Sequence, residues 1–392
     1  MRKLFSLCVV ALLFVSFNSK GQTGNKEEPA GATGPKGAVS VGGLAKDYVP
    51  NKDAVEAKNQ GNAALDKGDY KEALILFNKS IALDPKYANP VNNRGNIFLD
   101  QEKYAEALVD FTRAIEMDPK LWQPYTGRGT VYTYQEKYAE ALVDFTKAIE
   151  IEPKHAKAYN GRGAVYTYQE KYAEAIVDFT KAIELAPRYV NAIYNRGLTY
   201  GKNQQKYVEA IVDFTKVIDL APKHKEAYNS RGEAYALQQK YAEAIVDFNK
   251  VIELDPKYAN AYSNRGFCNG ELKKYPEAKA DFAKAIELDS KHKEAYFKRG
   301  MLYANQQEHS KAIADYTKVI ELDPKNAKAY HNRGALYSDL KEYADAIGDY
   351  TKVIELDPKL WQPYNNRGIA YKSLGKTKEA EADFARAKEL EK

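Results

Sequence analysis

The sequence predicts an all-α protein made of one repeated helix pair, and three observations predict it. Residues 102–116, 136–150 and 170–184 read EKYAEALVDFTRAIE, EKYAEALVDFTKAIE and EKYAEAIVDFTKAIE, nearly the same fifteen residues at starts 34 apart. Glycine keeps the same step at Gly61, Gly95, Gly129, Gly163, Gly197, Gly232, Gly266, Gly300, Gly334 and Gly368, with a single step of 35. Within a unit, apolar residues return every three or four positions, as at Tyr138, Ala141, Leu142, Phe145 and Ile149. That is helical periodicity, not strand alternation. A catalytic site is built once, whereas a phrase repeated at fixed spacing describes a unit that stacks on copies of itself.

The first element is a targeting segment. Arg2 and Lys3 precede an apolar run from Leu4 to Phe17, and Ser19 and Gly21 form a small-residue cleavage site. Residues 1–21 are therefore expected to be a signal peptide. The run of 14 residues is short of the roughly 20 that span a bilayer, so no membrane span is expected in the mature chain. Export to a bacterial periplasm or by secretion follows as the expected localisation. Cleavage leaves 56 basic against 54 acidic residues. That balance gives no support to a nucleic-acid partner, which needs a clustered basic face. It also leaves Cys268 alone, so no internal disulfide is expected and stability rests on packing.

Residues 22–53 read as a flexible linker. They hold Gly24, Gly31, Gly34, Gly37, Gly42 and Gly43 with Pro29, Pro35 and Pro50, a composition too poor in large apolar residues to order itself. From residue 54 to 392 the repeat takes over, with units starting near 54, 88, 122, 156, 190, 225, 259, 293, 327 and 361. Counting from each start, glycine holds position 8, alanine position 20, Phe or Tyr position 24, and proline position 32, with Ser290 the one substitute. Each unit is then two helices, the second closed before proline, which disfavours helix at the preceding residue. Ten mid-helix glycines each give up about 1 kcal/mol against alanine. The expectation is that the two helices cross closely where position 8 meets the alanine at position 20.

This pattern resembles the tetratricopeptide repeat, a 34-residue helix pair with aromatic, Gly, Tyr, Ala, Phe and Pro at fixed offsets. The resemblance runs from Ala54 to the C-terminus. It departs locally at Ala57 and Ala64, at Asn269 and Ser290, and at His309. It implies a right-handed superhelical solenoid whose first helices line a concave groove, mainly through unit positions 2, 5, 6, 9, 12 and 13. Those positions carry Asn59, Asn62, Asn93, Asn96, Asn160, Asn195, Asn229, Asn264, Asn332 and Asn366, with Lys58, Tyr134 and Tyr168 beside them. Each amide offers donors and an acceptor together, so a row of them suits the main chain of an extended peptide. The row resembles the asparagine ladder of O-GlcNAc transferase, without a transferase domain. The family's carboxylate clamp is matched only by Lys58, Asn62 and Asn93, because Gln123 and Gly127 occupy its second cationic half. Tyr194, Phe267 and Phe297 are further aromatics at groove positions, expected to seat apolar side chains.

Arginine at position 7 and aspartate at position 23 occur in the same nine units and are both missing from the first. Joint presence and absence point to structural ion pairs such as Arg94–Asp110, Arg128–Asp144 and Arg162–Asp178. The alternative is a basic ladder for anionic ligands. His155, His224 and His292 are two units apart, too far to share a metal, and neither HExxH nor CxxC occurs. No phosphate loop or nucleophile elbow appears either. The expectation is a non-enzymatic, cofactor-free scaffold, monomeric, that holds peptide segments or protein partners in the groove. The alternative is a structural component that self-associates through its ends or convex faces.

Overall fold

The computed structural model describes residues 48–202 and 206–391. The expected signal peptide, the linker up to residue 47, and part of the stretch carrying the 35-residue step lie outside the described residues. The described residues form twenty α-helices in ten pairs. They fall into two compact bodies, 48–222 and 223–391, of five units each.

In the first body the pairs are α1 (Lys52–Asp66) with α2 (Tyr70–Leu83), α3 (Ala88–Asp100) with α4 (Tyr104–Met117), and α5 (Trp122–Tyr134) with α6 (Tyr138–Ile151). Then come α7 (Ala156–Tyr168) with α8 (Tyr172–Leu185), and α9 (Val190–Lys202) with α10 (Tyr207–Leu220). In the second body they are α11 (Lys225–Leu237) with α12 (Tyr241–Leu254), α13 (Ala259–Glu271) with α14 (Tyr275–Leu288), and α15 (Lys293–Asn305) with α16 (His309–Leu322). The last two are α17 (Ala327–Asp339) with α18 (Tyr343–Leu356), and α19 (Trp361–Ser373) with α20 (Thr377–Leu390). Helix α1 starts at Lys52, and the coil before it is tied to the next turn: Tyr48 donates to Asp84 at 2.6 Å and Asn51 caps α1.

The aromatic at position 24 is the centre of the first nine units, and Phe384 in the tenth is half-buried. Phe77, Phe111, Phe145, Phe179, Phe214, Phe248, Phe282, Tyr316 and Tyr350 are all 2 % exposed or less. This ring explains the glycines. A Cβ on Gly61 would lie 2.6 Å from Phe77, and one on Gly95 2.9 Å from Phe111. At Gly61 and Gly95 the closest approach is to the edge of the aromatic ring, while at Gly163 and Gly266 the carbonyl oxygen of the position-20 alanine also lies 3.2 Å from where a Cβ would stand. That alanine is itself fully buried, as at Ala73 and Ala141.

The turns follow local rules. Among the described residues, nine first helices are followed by a residue in the left-handed region, Gly68 and Gly375, and Glu102, Glu136, Glu170, Gln239, Lys273, Gln307 and Lys341 at φ near 60°. The following N–H reaches back to close the helix, as Lys103 does to the Phe98 carbonyl at 2.8 Å. At the end of the second helix the acidic side chain before proline accepts the N–H two residues on, as Asp118 does from Lys120 at 3.0 Å.

Within each body the first helices of successive units pack on one another: α3 on α5, α5 on α7, α7 on α9; α11 on α13, α13 on α15, α17 on α19. The second helices instead pack against the first helices on either side of them. First helices therefore line the inner face of each body, and second helices its outer face.

Candidate functional site

The arginines at position 7 are committed to structure. Arg162 donates from Nε and Nη2 to the two oxygens of Asp178 at 2.7 and 2.8 Å, and from Nη1 to Thr146 of the preceding unit at 3.3 Å. The two-pronged contact recurs from Arg94–Asp110 and Arg128–Asp144 to Arg367–Asp383. The aspartates are buried and the arginines mostly so, with Arg128 also lying over the rings of Tyr125 and Tyr132. The bonds to Asp144 and Asp178 hold the Arg128 and Arg162 guanidinium groups above their usual pKa. A cation paired on one side and stacked on the other offers little to an anionic ligand.

Position 6 faces the seam between units. Asn93 donates to Asn62 of the preceding unit at 2.8 Å, and Asn195 to Asn160 at 3.1 Å. Asn332 reaches the Tyr316 hydroxyl at 3.4 Å, and Asn366 bonds the Tyr350 hydroxyl. Where position 6 is glycine, the preceding ring fills the place: a Cβ on Gly127 would sit 2.4 Å from Phe111, and one on Gly161 2.5 Å from Phe145. These asparagines are half-buried, whereas Asn59 and Asn96 are exposed. Lys58 is half-buried too, and burial lowers its pKa.

Asn229 and Asn264 depart from the expected accessible row. They are only 7 % and 2 % exposed. Both donate to Glu233 Oε1, at 2.9 and 3.0 Å, and Asn264 Oδ1 accepts from Lys298 Nζ at 3.0 Å. Units 6, 7 and 8 are thus joined by a buried chain of a carboxylate, an amide and an ammonium. Burial lowers the Lys298 pKa, and the Glu233 charge opposes that shift. Phe267, over which Lys298 lies at 5.6 Å, and Phe297 are buried as well, so neither is open to a ligand. The signal was in the sequence: Glu233 is the only charged residue at position 9, and Lys298 the only one at position 6.

Tyr134 and Tyr168 are placed differently. Each stacks on a tyrosine that begins the preceding second helix: Tyr104–Tyr134 at 5.5 Å and 25°, Tyr138–Tyr168 at 5.6 Å and 14°. The outer ring of each pair stays open, 48 % and 47 % exposed. Tyr194 instead leans on Phe214 at 5.7 Å.

Among the described residues no group of His, Cys, Asp and Glu is arranged to hold a metal, and no helix is long and apolar enough to cross a membrane. Cys268 is buried, which pushes its thiol up to about 12. Three of the histidines serve the turns. His224 and His292 accept the Ala227 and Ala295 N–H at 3.2 and 3.3 Å, and His155 packs on Trp122 with ring centres 3.8 Å apart.

Among known proteins, a crystal structure of YrrB, described as a TPR protein with an unusual peptide-binding site, is 26 % identical, covers 47 % of this chain and 95 % of its own, and superposes with a TM-score of 0.40. Yeast Tom70 is 17 % identical over 86 % of this chain and 92 % of its own, with a TM-score of 0.47. A tetratricopeptide repeat protein from Parabacteroides merdae is 23 % identical over 73 % of this chain and 99 % of its own, with a TM-score of 0.43. No curated protein matches the sequence. The family pattern described as tetratricopeptide repeat matches residues 91–121, 122–155, 156–189, 226–258, 259–292, 294–326 and 327–360, more than half of the chain. Related repeat patterns match 61–101, 190–224 and 349–382. With ten helix pairs in the same register, the chain belongs to the tetratricopeptide repeat family.

Proposed function

We propose that this chain is a non-enzymatic scaffold that binds extended peptide segments, or extended parts of protein partners, along the first-helix face. The observation that carries the reading is the amide pairing across units. Asn62–Asn93 and Asn160–Asn195 are half-buried pairs, each joined by one hydrogen bond. An amide has two donor hydrogens and two acceptor sites, so each pair is held in place with hydrogen-bonding capacity left over for a peptide main chain. The test is capture from native extract with residues 22–392. The control carries Asn62, Asn93, Asn160 and Asn195 changed to Ala, with folding checked by circular dichroism. Partners kept by the wild type and lost by the folded control support the groove. Partners kept equally by both overturn it.

A second reading has one observation in its favour. On the outer face of the first body, position 22 carries Ile75, Val109, Val143, Val177 and Val212, each 53–69 % exposed. Such a row suits self-association as a structural component. Light scattering over a concentration series separates the two: a constant monomer mass removes the assembly reading. Export is part of the proposal as well, supported by Arg2, Lys3 and the Leu4–Phe17 run. Cell fractionation with N-terminal sequencing tests it, and a mature chain beginning at Met1 would refute cleavage after Gly21.

A further inference from the structure

We propose that the tyrosine ledge of units 3 and 4 is a docking site for a basic, proline-rich segment in the polyproline II conformation. This rests on the groove reading and names a ligand class for one stretch of it. Position 13 is Tyr only at Tyr134 and Tyr168; every other unit has Asp, Glu, Asn, Ser, Lys or Leu there. Each of the two rings is backed by a stacked tyrosine, which holds it flat, and its other face stays open. Nothing in the fold requires this, since eight units do without it.

The spacing selects the ligand. Packed neighbouring helices lie about 8–10 Å apart. A polyproline II helix presents the same face every three residues, or about 9.3 Å. Prolines three residues apart match the spacing between the helices that carry the two rings. Such a segment has no internal hydrogen bonds and is stiff before it binds, so its carbonyls are free for neighbouring amides and little entropy is lost on ordering.

Charge selects the flanks. Glu102, Glu136 and Glu170 stand at φ of 59°, 59° and 58°, where a non-glycine residue is strained by about 1 kcal/mol or more. At the same turn the second body has Gln239, Lys273, Gln307 and Lys341. The strain is shared, but at this left-handed position a carboxylate occurs only in the three successive turns of units 2 to 4 among the described residues. Among the described residues none of the three glutamates forms an ion pair. The lysines that follow two of them point elsewhere, Lys103 over Phe98 at 6.0 Å and Lys137 over Tyr132 at 5.8 Å. An open apolar ledge with an unpaired acidic rim favours prolines accompanied by Arg or Lys and disfavours acidic segments.

The test titrates the full chain with a labelled synthetic peptide that has proline at every third residue and arginine at both ends. Controls replace the prolines with alanine or the arginines with glutamate. Both controls are expected to bind at least roughly tenfold more weakly, and Y134A/Y168A to lower affinity for the probe by a similar factor. Y134F/Y168F should keep it, since the rings remain. E102Q/E136Q/E170Q should weaken binding and flatten its dependence on salt. Equal binding of the proline-free control, or an unchanged affinity in a Y134A/Y168A chain of wild-type helicity, overturns the proposal. Loss of a dimer in Y134A/Y168A would assign the ledge to a second copy and overturn it too. If the probe fails while the asparagine variant still loses its captured partner, this inference falls and the groove reading stands.

Discussion

The two bodies share one framework and differ on the faces it presents. In the first, the inner seam is made of neutral amide pairs or bare glycine, with Tyr134 and Tyr168 open beside it. In the second, the seam of units 6 to 8 is filled by Glu233, Asn264 and Lys298 and closed by Phe267 and Phe297. The outer faces differ as well. Position 22 is Ile or Val through the first body, and runs Val246, Ala280, Ala314, Gly348, Ala382 through the second. A Cβ on Gly348 would meet nothing within 4 Å, so that position has no packing role there. The same fold therefore carries two differently prepared surfaces, one open and one sealed.

The largest expected effect probes the sealed seam. Lys298→Met removes the buried ammonium that faces Glu233 and takes the donor from Asn264 Oδ1, and should cost about 3–5 kcal/mol. Adding Glu233→Leu removes the facing carboxylate as well and should restore part of the loss. Denaturant unfolding with hydrogen exchange localises the effect. If Lys298→Met leaves units 6 to 8 as protected as in wild type, the seam is not held by this chain of charges.

Next comes a transplant of one unit's seam into its neighbour within the first body. Gly161→Asn places the side chain used at Asn195 against Phe145, where even a Cβ would lie 2.5 Å from the ring. Overpacking of this kind costs about 1–3 kcal/mol, read as a lower midpoint in urea. A neutral result would mean that the ring moves aside freely and that the difference between seams is not a matter of space.

Acid probes the first body at one residue. Burial against Trp122, helped by the nearby Lys157 charge, lowers the His155 pKa from 6.5 to about 4. As pH falls below 6.5 the unfolded chain takes up a proton that the folded chain refuses until about 4, so stability declines across that window. His155→Leu, the residue found at the equivalent Leu121 and Leu360, should remove about 3 kcal/mol of that decline. Unfolding at both ends of the window checks it, and an unchanged slope would show that His155 is protonated in the folded state.

The smallest effect concerns the outer row. Val143→Ala should leave stability unchanged or raise it by a few tenths of a kcal/mol, because alanine is the better helix former at a position 69 % exposed. If stability falls by 1 kcal/mol or more, the valine makes contacts within the folded chain and the row is not a free surface.

Much of the fold was legible because it repeats. A 34-residue period with helical spacing of apolar residues names the unit, and ten copies leave little room for another reading. The ion pairs were legible from joint presence: unit 1 lacks both the position-7 arginine and the position-23 aspartate, and the other nine units keep them together. The role of the glycines was read half correctly. Their cost was plain, but a helical glycine does not say which neighbour it accommodates: the aromatic of position 24 throughout, with the alanine carbonyl of position 20 beside it at Gly163 and Gly266. The candidate site was read less well. A row of asparagines looks uniform in the sequence, yet Asn59 is exposed, Asn93 is half-buried and Asn264 is sealed between units.

By itself the sequence determined the secondary structure, the register of the units and the pairing inside each one. These depend on contacts between residues a few positions to half a repeat apart, which periodicity records directly. Only the tertiary structure decided which polar side chains remain open to a partner. That depends on what the preceding unit places against position 6: a ring over Gly127, an amide beside Asn93, a carboxylate behind Asn264. Burial is set by a residue of the preceding unit, 16 positions away at Gly127 and 31 at Asn93 and Asn264, and the identity of one residue does not reveal which neighbour it meets.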